Sequence, residues 1–398
     1  MTIQRTLSHP RSSPAPGFGL VEIMVGITIG LFALLIVYQV LSLSEGYRRT
    51  TMAGGDAQSS GMIATFMLAQ DIGNGGHTIS DSAPELAVCP NTGDFTTTWR
   101  PIPVLIRDGG ADDVSDSFDV FVGANRRLVT PQDIIFPYAP GGTLSVQSPL
   151  GFHPSYAGES AHMFVISDVA GNVCEQGVIG GAWPPGAAVS PAAGYDATTG
   201  HMTFAPAVAL ANNYPQGSTW VINLGPIDRV RKTRYDISPP GPYAAGQSGV
   251  LRSENLLDAA AVPNPIVSNV VLMKVQYGLD TSVPPDSTID SWTSARDAPW
   301  NEASVLAADL AQLKQIKAIR VAVVVRSSQF ERLRDAEGRD AVGSVDMASN
   351  FTTTLFPCNG LPGCTGEMPG VVIPGSANAR FRVFEQVIPL TNQIWNPI

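Results

Sequence analysis

The stretch GFGLVEIMVGITIGLFALLIVYQVLSLSEGYRR occupies positions 17–49 and decides how the rest of the chain is read. From Ile23 to Ser44 it carries no charge. A helix of that length, at ~1.5 Å per residue, reaches about 33 Å, enough to cross a hydrocarbon core of roughly 30 Å. A secretory signal peptide has a shorter apolar region that ends in small residues of the A-x-A type. This run ends instead in SLSEGYRRT. A membrane-spanning helix is therefore expected near the N-terminus. Arg5 and Arg11 before it balance Arg48 and Arg49 after it, so the positive-inside rule leaves its orientation undecided. Glu22 stands almost at its start, and an acid in an apolar span is a functional candidate, because burying it in lipid costs roughly 2.5–3.5 kcal/mol. Gly26 and Gly30 have the small-xxx-small spacing that lets helices approach closely in lipid.

The remainder is poor in charge and rich in turn formers. Of 398 residues 15% are charged, and 39 Gly with 32 Pro suit a β-rich, loop-rich body better than a helical bundle. The formal charge of -10 provides no basic face for nucleic acid. Helical character continues through SSGMIATFMLAQDIGNGGH, with Ile63, Phe66, Met67 and Ile72 expected on the packed face, Gly54-Gly55 loosening the helix and GNGG at 73–76 ending it. Beyond it, SFDVFVGA, AHMFVISD, STWVINLG, NVVLMKVQYGLD, KAIRVAVVVRS and FRVFEQVIPL read as strands, and NEASVLAADLAQLKQIK as a helix carrying Leu306, Leu310 and Leu313 on one face. The Pro-rich GAWPPGAAVSPAAG and ISPPGPYAAGQSG read as surface loops.

Four cysteines allow three disulfide connectivities. The turn in CNGLPGC favours Cys358 with Cys364 in an oxidising compartment, which leaves Cys89 with Cys174 by elimination. No metal-ligand spacing, nucleophile elbow or phosphate loop occurs, and His9, His77, His153, His162 and His201 are scattered. Ser160 and His162 in GESAH lack the elbow's second glycine and precede a strand, so no enzyme is expected. The acidic run RDGGADDVSDSFD offers two readings. An Asp-Gly turn before a strand is preferred, since the run misses the EF-hand spacing; calcium at Asp108, Asp112, Asp113 and Asp116, with Asp119 beside them, is the alternative. No other cofactor is expected.

The order Gly17-Phe18-Gly19-Leu20-Val21-Glu22 resembles the class III leader of type IV prepilins and pseudopilins, with Gly19 where that superfamily usually has Thr or Ser. SSGMIATFMLAQDIGNGGH, NVVLMKVQYGLD, IKAIRVAVVVRS and FRVFEQVIPLTNQIW are similar to segments of PilW-type minor pilins. The resemblance implies cleavage by a prepilin peptidase between Gly17 and Phe18, N-methylation of Phe18, and pairing of Glu22 with a neighbouring subunit's ammonium. It implies an α+β, pilin-like fold, in which a long helix with a membrane-spanning first half packs on a β-rich C-terminal globular domain. The expected limits are a leader at 1–17, a helix at 18–75 and a periplasmic body at 76–398, with an elaboration or second lobe at about 125–260. The partners implied are other minor pilins and the major pilin, met through N-terminal helices. The implied location is the inner membrane and then the pilus, at its tip. The implied function is a minor pilin of a priming complex; a tip adhesin and the J-type pseudopilin of type II secretion are the alternatives.

Overall fold

One uninterrupted helix, α1, runs from Leu20 to Gly73. The computed structural model describes residues 17, 19–79, 89, 102–125, 130–147, 152, 160–171, 173–180, 195–196, 201–244, 246–258, 260–328, 350–358, 364–374 and 379–394. The chain divides into two units, Met1–Met52 and Ala53–Ile398. In the first, Leu20–Leu41 is apolar on all sides and wholly exposed, with no core-facing stripe.

In the second unit the last turns of α1 lie on the body through a narrow face. Ala57, Ala64, Leu68 and Ile72 are buried at helical spacing. Ile63, Phe66 and Met67, expected inside, are exposed; of the four residues assigned to the packed face only Ile72 is buried. Small residues occupy the first part of the contact, where at Gly61 the helix comes very close to the sheet. A Cβ added to Gly61 would sit 1.9 Å from the Phe384 ring. Gly61→Leu should accordingly lower stability by about 1–3 kcal/mol, as overpacking does, and Phe384→Ala in the same chain should recover part of it. Urea midpoints of the two variants check this, and an unchanged midpoint for Gly61→Leu would show that the helix does not dock there. Gly54-Gly55 does not interrupt α1, whereas 73–76 ends it as expected, with Gly76 at φ 80°. The exposed carbonyls at that end are capped from far along the chain. Thr391 donates to Gly73 O at 2.7 Å, and Asn392 Nδ2 to Asn74 O and Gly75 O at 3.2 and 3.1 Å. Tyr235 donates a short hydrogen bond to Asp71.

The strands in chain order are β1 (Val104–Arg107), β2 (Ser117–Val122), β3 (Gln132–Asp133), β4 (Leu144–Val146), β5 (His162–Asp168), β6 (Val173–Val178), β7 (Tyr195–Asp196), β8 (His201–Phe204) and β9 (Thr219–Pro226). They continue with β10 (Arg231–Ser238), β11 (Gly249–Asn255), β12 (Asn264–Leu279), β13 (Ser291–Ser294), β14 (Ile316–Arg326), β15 (Phe351–Leu355), β16 (Met368–Ile373) and β17 (Phe381–Pro389). The six segments read as strands from sequence become β2, β5, β9, β12, β14 and β17.

An antiparallel main sheet has the order β1-β2-β10-β11-β12-β14-β17, with β13 beside β12. The apolar runs of β12 and β14 sit in its interior, their side chains buried on both faces. Parity along β17 separates those faces. Phe384 points to α1. Phe381 and Glu385 point the other way, to the β15–β16 hairpin: Phe381 stacks on Phe351 with centroids 4.9 Å apart, and Glu385 Oε1 accepts from Phe356 N at 2.6 Å. The helix expected over 301–317 is broken in two, α2 (Glu302–Ala307) and α3 (Leu310–Lys314). The break arises because Asp309 turns its carboxylate to Gln312 N and caps a new helix.

Between β2 and β10, neighbours in the main sheet with Val122 opposite Arg231, the chain leaves to build a lobe. There β3-β9-β5-β6 and β4-β8-β7 form two further sheets around a separate core that includes Tyr138, Phe164, Phe204 and Tyr214. The chain enters and leaves side by side, with Ala124 N and Asn125 N both donating to Leu224 O. A smaller apolar cluster at this joint contains Ile79, Phe121, Val165 and Leu224.

These observations correct the expected fold class. Among the described residues strand outweighs helix, 40% against 21%, and the architecture is β-rich: one long N-terminal helix and several antiparallel sheets, with a helix packed on a globular domain only in part. The physical reason is that the strands of the lobe close a core of their own instead of extending one sheet for a long helix to cross. The helix itself contributes only one narrow face, Ala57 to Ile72.

Candidate functional site

The residues singled out at the N-terminus sit in the first turns of α1 and just before it. Gly17 precedes the helix and is exposed, and Phe18 lies outside the described residues. Glu22 is in the first turn, exposed, its backbone N donating to Gly19 O at 2.9 Å. An acid there complements the positive end of the helix dipole. Gly26 and Gly30 have no neighbour within 4 Å of an added Cβ. Thr28 bonds back to Met24 O and Val25 O, and Ser44 to Leu41 O, so these hydroxyls are satisfied within the helix and need no water. A rod apolar all round, with the Thr28 and Ser44 hydroxyls satisfied internally, suits lipid or a bundle of similar rods.

The acidic run is laid out against cations. Asp116 is buried with Lys274, 2.9 Å between Oδ1 and Nζ, and also accepts from Gly109 N and Val275 N. Burial pushes its carboxyl up to about 6, against the pull of Lys274. Asp119 lies between Arg107 at 2.7 Å and Arg234 at 2.9 Å. Burial would raise Asp119, but the hydrogen bonds and charges of the two guanidiniums outweigh it and hold the carboxyl below its usual range. Arg296 spans Asp108 and Asp112 at 3.3 and 2.8 Å. Asp113 is half-buried beside them. Among the described residues no three His, Cys, Asp or Glu side chains are grouped to hold a metal. The carboxylates weighed for calcium at Asp108, Asp112 and Asp116 are held by arginine and lysine instead. Sequence reading missed those partners, because Lys274 lies 158 residues from Asp116 and Arg296 lies 184 from Asp112.

Both disulfides join the expected partners, Cys89 with Cys174 and Cys358 with Cys364. Ser160 lies just before β5, and His162, the first residue of that strand, meets Asn223 Nδ2 at 3.1 Å. His77 is half-buried after α1 and His201 opens β8, while His9, His153 and the loop at 181–194 lie outside the described residues.

Together these features define a class: a β-rich body on a helix able to anchor in a membrane. Residues 244–392, from just before β11 to the start of the final short helix, α4 (Thr391–Ile394), match the model of the family described as Type IV Pilus-assembly protein W. The match supports a PilW-like pilus protein involved in type IV pilus assembly. It covers the C-terminal part of the main sheet and excludes both α1 and the lobe. No curated protein and no solved structure matches the chain.

Proposed function

We propose that the protein is a non-catalytic minor pilin, held in the inner membrane by α1 with its body in the periplasm and then drawn into a pilus-priming complex at the tip. The observation that carries this is an exposed apolar span, Leu20–Leu41, on the same chain as a sheet matching a type IV pilus-assembly family. Leaving lipid is tolerable because the same apolar surface is reburied against the helices of neighbouring subunits. In this reading a prepilin peptidase cuts between Gly17 and Phe18, and Glu22 then meets the ammonium of an adjacent subunit. Each buried charge offsets the other's desolvation, and the pair sets the axial register. Mass spectrometry of the protein purified from its own cells should find a methylated Phe18 as N-terminus; an intact Met1, or a cut elsewhere, overturns the reading. Glu22→Ala should be processed normally yet fail to enter pili, and normal pilus numbers in that strain would contradict the pairing.

A second reading, a tip adhesin, is favoured by the lobe alone, since it lies outside the family match and has its own core. Its removal must respect the sheet. Deleting 125–260 would take out β10 and β11, whereas joining Gly123 to Val230 by an Asn-Gly turn removes the lobe and keeps β2 beside β10. With Cys89→Ser to avoid a lone thiol, that chain should still support piliation and lose surface attachment. Attachment at the parental level would discard the adhesin reading. The J-type secretion pseudopilin remains the other alternative, and secretion assayed in a deletion strain separates it from the pilus role.

A further inference from the structure

A cleft of about 500 Å³ opens where the end of α1, the end of β2 and the β9–β10 turn converge. It is lined by Asn74, His77, Val122, Gly123, Ala124, Asp228, Arg229 and Arg231, a size suited to a small ligand. Arg107, Arg234, Arg252 and Arg296 each have a carboxylate partner. Arg229 and Arg231 are exposed and enter no ion pair among the described residues, on a chain whose formal charge is -10. Two guanidiniums left for solvent in one cleft are donors suited to a carboxylate.

The other polar groups add acceptors. His77 Nε2 donates to Asn125 O at 3.0 Å, and in the neutral ring Nδ1 is then an acceptor. Asn74 Nδ2 donates to Gln70 O at 2.9 Å, leaving Oδ1, and Asp228 adds a carboxylate. Inorganic phosphate carries too few O–H groups to meet three acceptors, whereas a ligand bearing both a carboxylate and several hydroxyls satisfies both sets. Val122 and Ala124 provide apolar wall for the face of a ring. We infer that this cleft binds an acidic saccharide of the uronic-acid type, its carboxylate on Arg229 and Arg231 and its hydroxyls on Asp228, His77 and Asn74. The inference is independent of the pilus assignment.

The test is calorimetric titration of the full-length, detergent-solubilised protein with D-glucuronate, D-glucose and inorganic phosphate. Saturable binding of glucuronate, with glucose and phosphate at least about tenfold weaker, is expected. Arg229→Gln and Arg231→Gln should each weaken glucuronate by roughly tenfold, the scale of one charge-assisted hydrogen bond, while leaving circular dichroism unchanged. Absence of glucuronate binding, equal binding of phosphate, or affinity indifferent to both arginine variants overturns the proposal.

Discussion

Lys274→Met should be the most damaging single substitution in the body, costing about 3–5 kcal/mol, because it leaves the buried Asp116 carboxylate without its cation. Lys274 is 1% exposed on the central strand β12, and its Nζ donates to Asp116 Oδ1 and, at 2.8 Å, to Ala111 O. Asp116 in turn ties the loop before β2 to β12 through Val275 N. Asp116→Leu combined with Lys274→Met should be less destabilised than Lys274→Met alone, since neither charge is then buried. Urea unfolding of the single and double variants measures this, and a double variant as unstable as the single would show that charge is not the cause. The pH dependence has a definite sign. The Asp116 carboxyl titrates at about 6 in the fold against an ordinary 3.8, so the folded state binds more protons in that window and its contribution to stability rises as pH falls through it. The penalty of Lys274→Met should therefore be larger at neutral pH than below 6. Asp119, held low, contributes in the opposite sense: stability present above 3.8 is lost as pH falls through its depressed value.

Removing the Cys89–Cys174 bridge with paired Ser substitutions should cost more than removing Cys358–Cys364. The first links residues 85 apart and the second residues 6 apart. Loop-closure entropy puts them at about 4.5 and about 2 kcal/mol respectively. The longer bridge also occupies a particular place. Cys174 lies on β6 and both sulfurs are buried in the cluster with Phe121, Val165 and Leu224, so the bridge fastens the segment after α1 to the joint of lobe and sheet. Thermal unfolding of the two double variants gives the comparison. Equal losses would mean that strain or residual unfolded structure, not loop length, sets the effect.

Much of this protein was legible because its signals are local. From Ile23 to Tyr38 every residue but Thr28 is apolar or glycine, on all sides of the helix, which needs no partner to be recognised, and the β-branched runs of β12 and β14 declare buried strands in the same way. The turn in CNGLPGC brings its own cysteines together. Apolarity alone points to the wrong docking face of α1: close approach to Phe384 requires Gly61, and the face that carries it buries Ala57 and Ala64 and leaves Ile63 and Phe66 outside. The cleft left no signal, since Asn74, His77 and Arg229 share no pattern along the chain.

Composition and periodicity alone determined the apolar rod, the main strands and the small disulfide loop, because each follows from the chemistry of adjacent residues. Tertiary structure alone decided the partition into main sheet and lobe, the Asp116–Lys274 contact and the face on which the helix lies. Those depend on which distant segments close upon one another, and a side chain's own chemistry states what it must be shielded from or paired with, never which residue across the chain will do so.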